Sequence, residues 1–275
     1  MRRRGLVAVI AAAVVAAGCG GTTTRSTTTT TTSAPATASV GSAPVRLTLT
    51  VLARHPHDTE AFTEGLTFDD RGRLFESLGL DGRSEVREVD PAGGSVLQRS
   101  ALAADQFGEG LAAGPSGLVQ LTWKNGIAHT WSLDGLAAGP TMTYTGEGWG
   151  LTFDGTRFVQ SDGSSHLTFR DRSSFADVGG VDVTRDGDAV DQLNELEWVD
   201  GALYANVWHS DEIMRIDPST GAVSGVLDAS SLWRDPSRTS EMTLNGIAHR
   251  PGDPANVLWL TGKNWPEIFQ VRVSG

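Results

Sequence analysis

Five short apolar stretches of this chain begin at Glu64, Glu109, Glu147, Asn194 and Asn245, and the stretch that follows each ends at Ser77, Trp123, Asp162, Trp208 or Lys263. Carboxylates, amides, a lysine and indoles form a set suited to holding a polar ligand against flat aromatic faces. Glu109 and Glu147 each stand between two glycines, in the tripeptide GEG, which suits a carboxylate carried on closely approaching backbone. Other chemistries find less support. The histidines are scattered, with His55 and His57 as one alternating pair near the N-terminal tract, and the single cysteine is Cys19, so no metal site stands out and no cofactor is expected. GxSxG is absent, which leaves a Ser/His/Asp triad unsupported.

The elements that must bring these residues together follow from a repeat. EGLTFDDRGRLFESLG, EGLAAGPSGLVQLTW, GWGLTFDGTRFVQSDG, NELEWVDGALYANVW and NGIAHRPGDPANVLWLTGK share one plan: a polar or glycine-rich start, a short apolar strand, a tight turn and a second alternating strand. Aligning Leu66, Leu111, Leu151, Leu196 and Ile247 gives steps of 45, 40, 45 and 51 residues, close to the roughly 40–50 residues of one four-stranded propeller blade. Helical periodicity is absent over any long window. A β-sandwich also uses many short strands, but it has no reason to repeat at a fixed period. The reading is an all-β, five-bladed β-propeller, in which Val45–Ala53 pairs with Ile268–Val273 to close the ring. Equivalent positions of the five units then converge on one mouth of the central channel, while Trp198 and Trp259, inside alternating strands, are expected to pack between blades.

The first twenty residues hold three arginines, an apolar run and small residues leading into AAGC, which resembles a lipoprotein cleavage box with Cys19 as the lipidated first mature residue. A Thr/Ser/Ala/Pro tract follows that cannot bury enough surface to fold. The expected organisation is a signal segment at 1–18, a lipidated tether at 19–44 and a propeller domain at 45–275. The protein is expected to be exported and lipid-anchored to the outer face of the cytoplasmic membrane or cell envelope. Loss of residues 1–18 takes the formal charge from −11 to about −14. That argues against nucleic acid as a partner, and an acidic tethered domain is expected to be a monomer.

AFTEGL (61–66), FGEG (107–110), QLTW (120–123), GEGWGLTFDG (146–155), SDGS (161–164), LNELE (193–197), ANVW (205–208), IDPSTG (216–221), LNGIAH (244–249) and TGKNWP (261–266) resemble the plant and bacterial type of glutaminyl-peptide cyclotransferase. That resemblance runs from about His57 to Phe269 and implies a five-bladed propeller that cyclises the N-terminal glutamine of peptides or proteins to pyroglutamate, releasing ammonia without a metal. It also implies that Glu109 is the general acid and base, that Lys263 and Asn194 are the polar catalytic contacts, and that Phe62, Phe107, Trp123, Trp149 and Trp208 line the substrate pocket. One position departs from the pattern: where the family motif is associated with AFTQGL, this chain has Glu64, for which only a pocket position is expected. Two other readings stay open on residue types alone. One is a propeller that binds peptides without turnover; the other is a lactonase-like hydrolase whose axial carboxylates, Glu64, Glu109 and Glu147, hold calcium.

Overall fold

Alternating side chains and Asp- or Gly-bearing turns produce strand after strand in the computed structural model, which describes residues 43–275 and contains no helix among them. Cys19, the signal segment and nearly all of the tether lie outside the described residues. After β1 (Val45–Pro56), a four-stranded antiparallel sheet is made by β2 (Thr63–Phe68), β3 (Leu74–Leu78), β4 (Glu85–Val89) and β5 (Val96–Ala101). A second follows in β6 (Gly108–Gly114), β7 (Gly117–Thr122), β8 (Ile127–Trp131) and β9 (Met142–Thr143), and a third in β10 (Leu151–Phe153), β11 (Arg157–Gln160), β12 (His166–Asp171) and β13 (Asp177–Asp182). A small hairpin of β14 (Thr184–Arg185) and β15 (Asp188–Ala189) precedes β16 (Leu193–Val199), β17 (Ala202–Val207), β18 (Glu212–Ile216) and β19 (Val223–Asp228). These four join β20 (Leu244–Ala248), β21 (Val257–Gly262), β22 (Glu267–Ser274) and β1 in an eight-stranded sheet of order β16-β17-β18-β19-β1-β22-β21-β20.

The two chain ends therefore pair, as the sequence suggests. Residues Thr48 to Pro56 of β1 run antiparallel to β22, with Leu49 opposite Val273 and Val51 opposite Val271. Only Val45–Leu47 reaches β19, in parallel. Hairpins close by local chemistry. Asp90, Asp171 and Asp217, each at or just past the end of the third strand of its group, accept the N–H two residues on from Ala92, Ser173 and Ser219, the side-chain turn that aspartate favours.

The first strands β2, β6, β10, β16 and β20 touch one another in a cycle, with β20 returning to β2. Five apolar clusters fill the spaces between neighbouring groups of strands. Phe75, Leu111, Leu118 and Trp131 lie between the first and second sheets, and Leu66, Phe68, Trp259 and Ile268 between β2–β4 and β20–β22. Trp259 is thus core, and Trp198 is partly buried against a cluster that includes Leu196 and Val159.

The aligned Leu66, Leu111, Leu151, Leu196 and Ile247 are all buried. The residue before each is Gly65, Gly110, Gly150 or Gly246, with Glu195 in the fourth unit. Glycine is required where the backbones converge: a Cβ on Gly110 would stand 2.5 Å from Leu151 N, and one on Gly150 would stand 2.8 Å from the carbonyl carbon of Asn194. Glu195 crosses this hub instead, its carboxylate accepting the N–H of Leu66 at 3.2 Å and of Ile247 at 2.8 Å. Burial, reinforced by the charge of Glu197, pushes its carboxyl well above the ordinary range.

Candidate active site

The side chains of interest leave the ladder at β-bulges. Register shifts between Thr63 and Gly65, Gly108 and Leu111, Leu193 and Leu196, and Leu244 and Ile247. A bulge bends its strand and re-aims a side chain; the residues so released include Glu64, Glu109, Asn194 and Asn245. In the third sheet the ladder begins at Leu151. The equivalent position, two residues before the aligned leucine, is therefore Trp149, and Glu147 lies two residues further back on the loop. This corrects the alignment of Glu147 with Glu64 and Glu109.

A second correction concerns the far ends of the hairpins. Trp123, Trp208 and Lys263 each donate a backbone N–H to the residue two before the bulged position, respectively Phe107 O at 2.9 Å, Gln192 O at 2.8 Å and Thr243 O at 2.9 Å. The matching bond in the first sheet comes from Gly79 to Phe62 O at 2.9 Å, so Gly79, not Ser77, is the equivalent residue. By spacing, Gly163, not Asp162, fills that place in the third. Both glycines leave room for pocket side chains. A Cβ on Gly79 would stand 2.5 Å from Phe107 Cζ and 3.0 Å from Glu64 Cγ; one on Gly163 would stand 2.7 Å from Trp149 Cζ2. Ser77 works underneath, its hydroxyl donating to Glu109 O at 2.5 Å and accepting from Gln120 Nε2 at 2.7 Å. Ser161 holds the backbone carbonyl of Asn194 in the same way at 2.6 Å. Asp162 is exposed and caps its own turn through Ser164.

Polar groups meet at one side of this mouth. Lys263 Nζ lies 2.7 Å from Glu64 Oε1, and Asn245 Nδ2 donates to Glu64 Oε2 at 3.1 Å and to Thr63 O at 2.9 Å. The ammonium also lies 4.6 Å over the ring of Phe62. Burial raises the Glu64 carboxyl above its ordinary value against the pull of Lys263. Glu109 is 6% exposed. Its carboxyl is held well above the carboxylate range, first by burial and then by the charge of Glu64, with Lys263 opposing and Glu147 reinforcing. Asn194 is buried, and its Oδ1, like that of Asn245, has no hydrogen-bond partner among the described residues.

Aromatic rings complete the wall. Phe62 meets Phe107 edge-on at 6.3 Å, Phe107 meets Trp123 at 5.7 Å, and Trp149 meets Trp208 at 5.6 Å. Phe62, Glu64, Phe107, Glu109, Trp123, Trp149, Asn194, Trp208 and Lys263, the site residues expected from sequence, lie at the start of a first strand, in the loop before it, or just past the end of a second strand.

Sequence reading missed one supporting network. His57 is buried rather than part of a loose pair by the tether. Its Nδ1 lies 2.7 Å from Trp265 O and its Nε2 2.9 Å from Glu76 Oε1, two acceptors that favour the doubly protonated ring. Thr63 and Arg87 also donate to Glu76, at 2.6 and 2.8 Å. Burial opposes both charges, yet the pairing wins: His57 is raised, and Glu76 falls to about 2. Thr63 adjoins Glu64 and Trp265 lies two residues from Lys263, so this network fixes the backbone on both sides of the Glu64–Lys263 pair. No local spacing signals it, because its members are spread from residue 57 to 265.

A buried carboxyl of raised proton affinity, a buried ion pair and two unpartnered amide oxygens near aromatic rings are groups able to receive an N–H-rich ligand. The family model for glutamine cyclotransferase matches residues 22–273. A glutaminyl-peptide cyclotransferase of Arabidopsis thaliana is 37% identical over 227 residues, covering 81% of this chain and 70% of the relative. The crystal structure of Myxococcus xanthus glutaminyl cyclase matches with a TM-score of 0.76 and 39% identity, over 84% of this chain and 98% of that one.

Proposed function

The chain belongs to the glutamine cyclotransferase family and is a glutaminyl-peptide cyclotransferase, and we propose that it works without a metal, through Glu109 in a tryptophan-lined axial pocket. Its substrates are peptides or proteins with N-terminal glutamine. The α-amine attacks the γ-carbonyl carbon, Glu109 takes a proton from that nitrogen, and the same proton goes to the γ-amide nitrogen as its C–N bond breaks. One new C–N bond closes the five-membered lactam and one mole of ammonia leaves. The reaction is already intramolecular, so holding the glutaminyl side chain folded back between rings supplies much of the acceleration.

The observation that carries this reading is the position of Glu109: buried at the convergence of the first strands and within the electrostatic reach of the Glu64–Lys263 pair, with its proton affinity raised by burial and by the Glu64 charge. Asn194 Nδ2 has no protein acceptor among the described residues, and Lys263 has donors beyond the one facing Glu64. Both suit the γ-carbonyl oxygen as it gains charge. Catalysis is tested by incubating the protein with a Gln-initiated peptide, with and without a chelator, and following ammonia. Activity should be chelator-insensitive, and Glu109→Gln should lose at least about a hundredfold in kcat; an active Glu109→Gln protein removes the shuttle.

A five-bladed propeller is the architecture that fits these contacts. The three-residue parallel seam between β1 and β19 divides the eight-stranded sheet into two sets of four, β16–β19 and β20–β22 with β1. Together with the three separate four-stranded sheets, and leaving aside the β14–β15 hairpin, they make five around the cycle of first strands. Export and anchoring through a lipid on Cys19, with the 19–44 tether and a monomeric 45–275 domain, belong to the same proposal. Cys19→Ala should abolish incorporation of labelled fatty acid and release the protein from membranes; retained label would remove the anchor.

A further inference from the structure

Glu147 makes an arrangement that no other carboxylate of this mouth makes. One oxygen, Oε2, accepts Nε1–H from Trp123 at 2.7 Å and from Trp149 at 3.0 Å. These indoles belong to different sheets, Trp123 following β7 and Trp149 preceding β10. An indole has a single polar hydrogen and no acceptor, so each ring commits its only directional bond to the same atom. Two bonds accepted by one oxygen bring the polar edges of the two indoles to a common point and so restrict how the rings can turn.

The surroundings favour this geometry. Gln160 Nε2 donates to Glu147 O at 3.0 Å, and Gly148 N donates to Trp123 O at 2.9 Å, so the acid's backbone is tied to both hairpins. Lys124 Nζ lies 3.8 Å from Glu147 Oε1 and 3.6 Å over the Trp123 ring, where it faces the carboxylate charge and one indole face together. Phe107 meets Trp123 edge-on and Trp208 meets Trp149 edge-on, so each indole also has one aromatic neighbour among these rings.

We propose that Glu147 is a positioning residue that sets the planes of Trp123 and Trp149, and so the shape of the slot in which the glutaminyl side chain folds back. It touches the indoles rather than the reacting atoms. This rests on the pocket reading above, and it explains why an acid precedes the pocket tryptophan by two residues in GEGWG.

Three proteins decide it: wild type, Glu147→Ala and Glu147→Gln, compared by steady-state kinetics on a Gln-initiated peptide and by near-ultraviolet circular dichroism, which reports indole orientation. Glu147→Ala frees both rings. Its KM should rise roughly tenfold, the size of one lost hydrogen bond to a charged acceptor, with kcat changed less and with an altered aromatic spectrum. Glutamine keeps one oxygen able to accept both indole hydrogens, so Glu147→Gln should restore KM and the spectrum. It also removes a charge that acts on Glu109 alongside those of Glu64 and Lys263. The kinetics are therefore taken on the plateau of each protein's pH profile, whose acid limb should move to lower pH in the glutamine variant. A Glu147→Ala protein with unchanged KM and spectrum overturns the proposal. So does a glutamine variant as impaired as the alanine one, since that outcome assigns the effect to charge. If wild type releases no ammonia, the catalytic reading falls while the spectra still decide whether Glu147 holds the indoles.

Discussion

At the scale of single residues, the informative feature is that Glu109 answers to three charges carried by other parts of the chain. Glu64 and Glu147 raise its proton affinity and Lys263 lowers it, on top of a larger effect of burial. In the proposed shuttle the carboxyl must be ionised to take the substrate's proton and so sets the acid limb of kcat/KM, and the direction of each change follows from the sign of the charge removed. Glu64→Gln takes away a negative neighbour and frees Lys263 to act on Glu109 alone, so the acid limb should move to lower pH. Lys263→Met removes the opposing cation, so the limb should move to higher pH with a loss in kcat. A pH profile of kcat/KM on a Gln-initiated peptide, in which both variants moved the same way, would contradict this coupling. The participants were legible one by one, because Glu64, Glu109 and Lys263 recur at equivalent places in a repeat. Their pairing was not: Glu64 and Lys263 are 199 positions apart, and nothing in either motif states which acid the lysine reaches.

Among the elements, the five first strands do similar work by slightly different means, and the differences are where sequence reading slipped. Periodicity marked each apolar stretch and its turn, and all five aligned residues fall inside a first strand. Bulges, however, are decided by cross-strand pairing, so the sequence alone placed Glu147, Ser77 and Asp162 at these equivalent positions. The structure resolves them in favour of Trp149, Gly79 and Gly163. Gly79 carries a negative φ, absent from the left-handed set, so its reason for being glycine is space and not backbone conformation. Gly79→Ala should push Phe107 and Glu64 aside, because the added carbon would stand within contact of both. Overpacking of this kind costs about 1–3 kcal/mol, and here the most displaceable groups are those of the pocket. We expect kcat/KM to fall by roughly tenfold or more with a small change in Tm, as a shifted pocket implies. Unaltered kinetics in a destabilised protein would instead place the strain in the scaffold.

For the whole molecule, β1 and β22 pair residues from the two ends of the described chain, and the charges beside that pairing should make stability depend on pH. His57 follows β1, Trp265 precedes β22, and both are joined through Glu76 of β3 to Arg87 of β4. Pairing of β1 with β22 was readable from two alternating terminal strands, and it covers edges that would otherwise recruit other chains. The ion network beneath it was not readable, since burial of a charged histidine depends on partners from distant strands. Glu76 carries a pKa lowered to about 2 from an unfolded value near 4.5, so its stabilisation is fully present above that unfolded value and is lost as pH falls toward about 2. His57, raised above its unfolded 6.5, contributes in the opposite sense: its share is complete below 6.5 and fades as pH rises through the folded value. Glu76→Gln leaves His57 buried without its anion and Arg87 with Asp58 as its remaining close carboxylate, and breaking a buried pair in this way typically costs about 3–5 kcal/mol. Urea unfolding of both proteins should show that deficit at about pH 6, where the wild-type network is fully charged, and a smaller one at about pH 3, where part of the wild-type advantage has been titrated away. An equal deficit at both pH values would mean that Glu76 stabilises the seam through shape, and that protonation plays no part in holding the chain ends together.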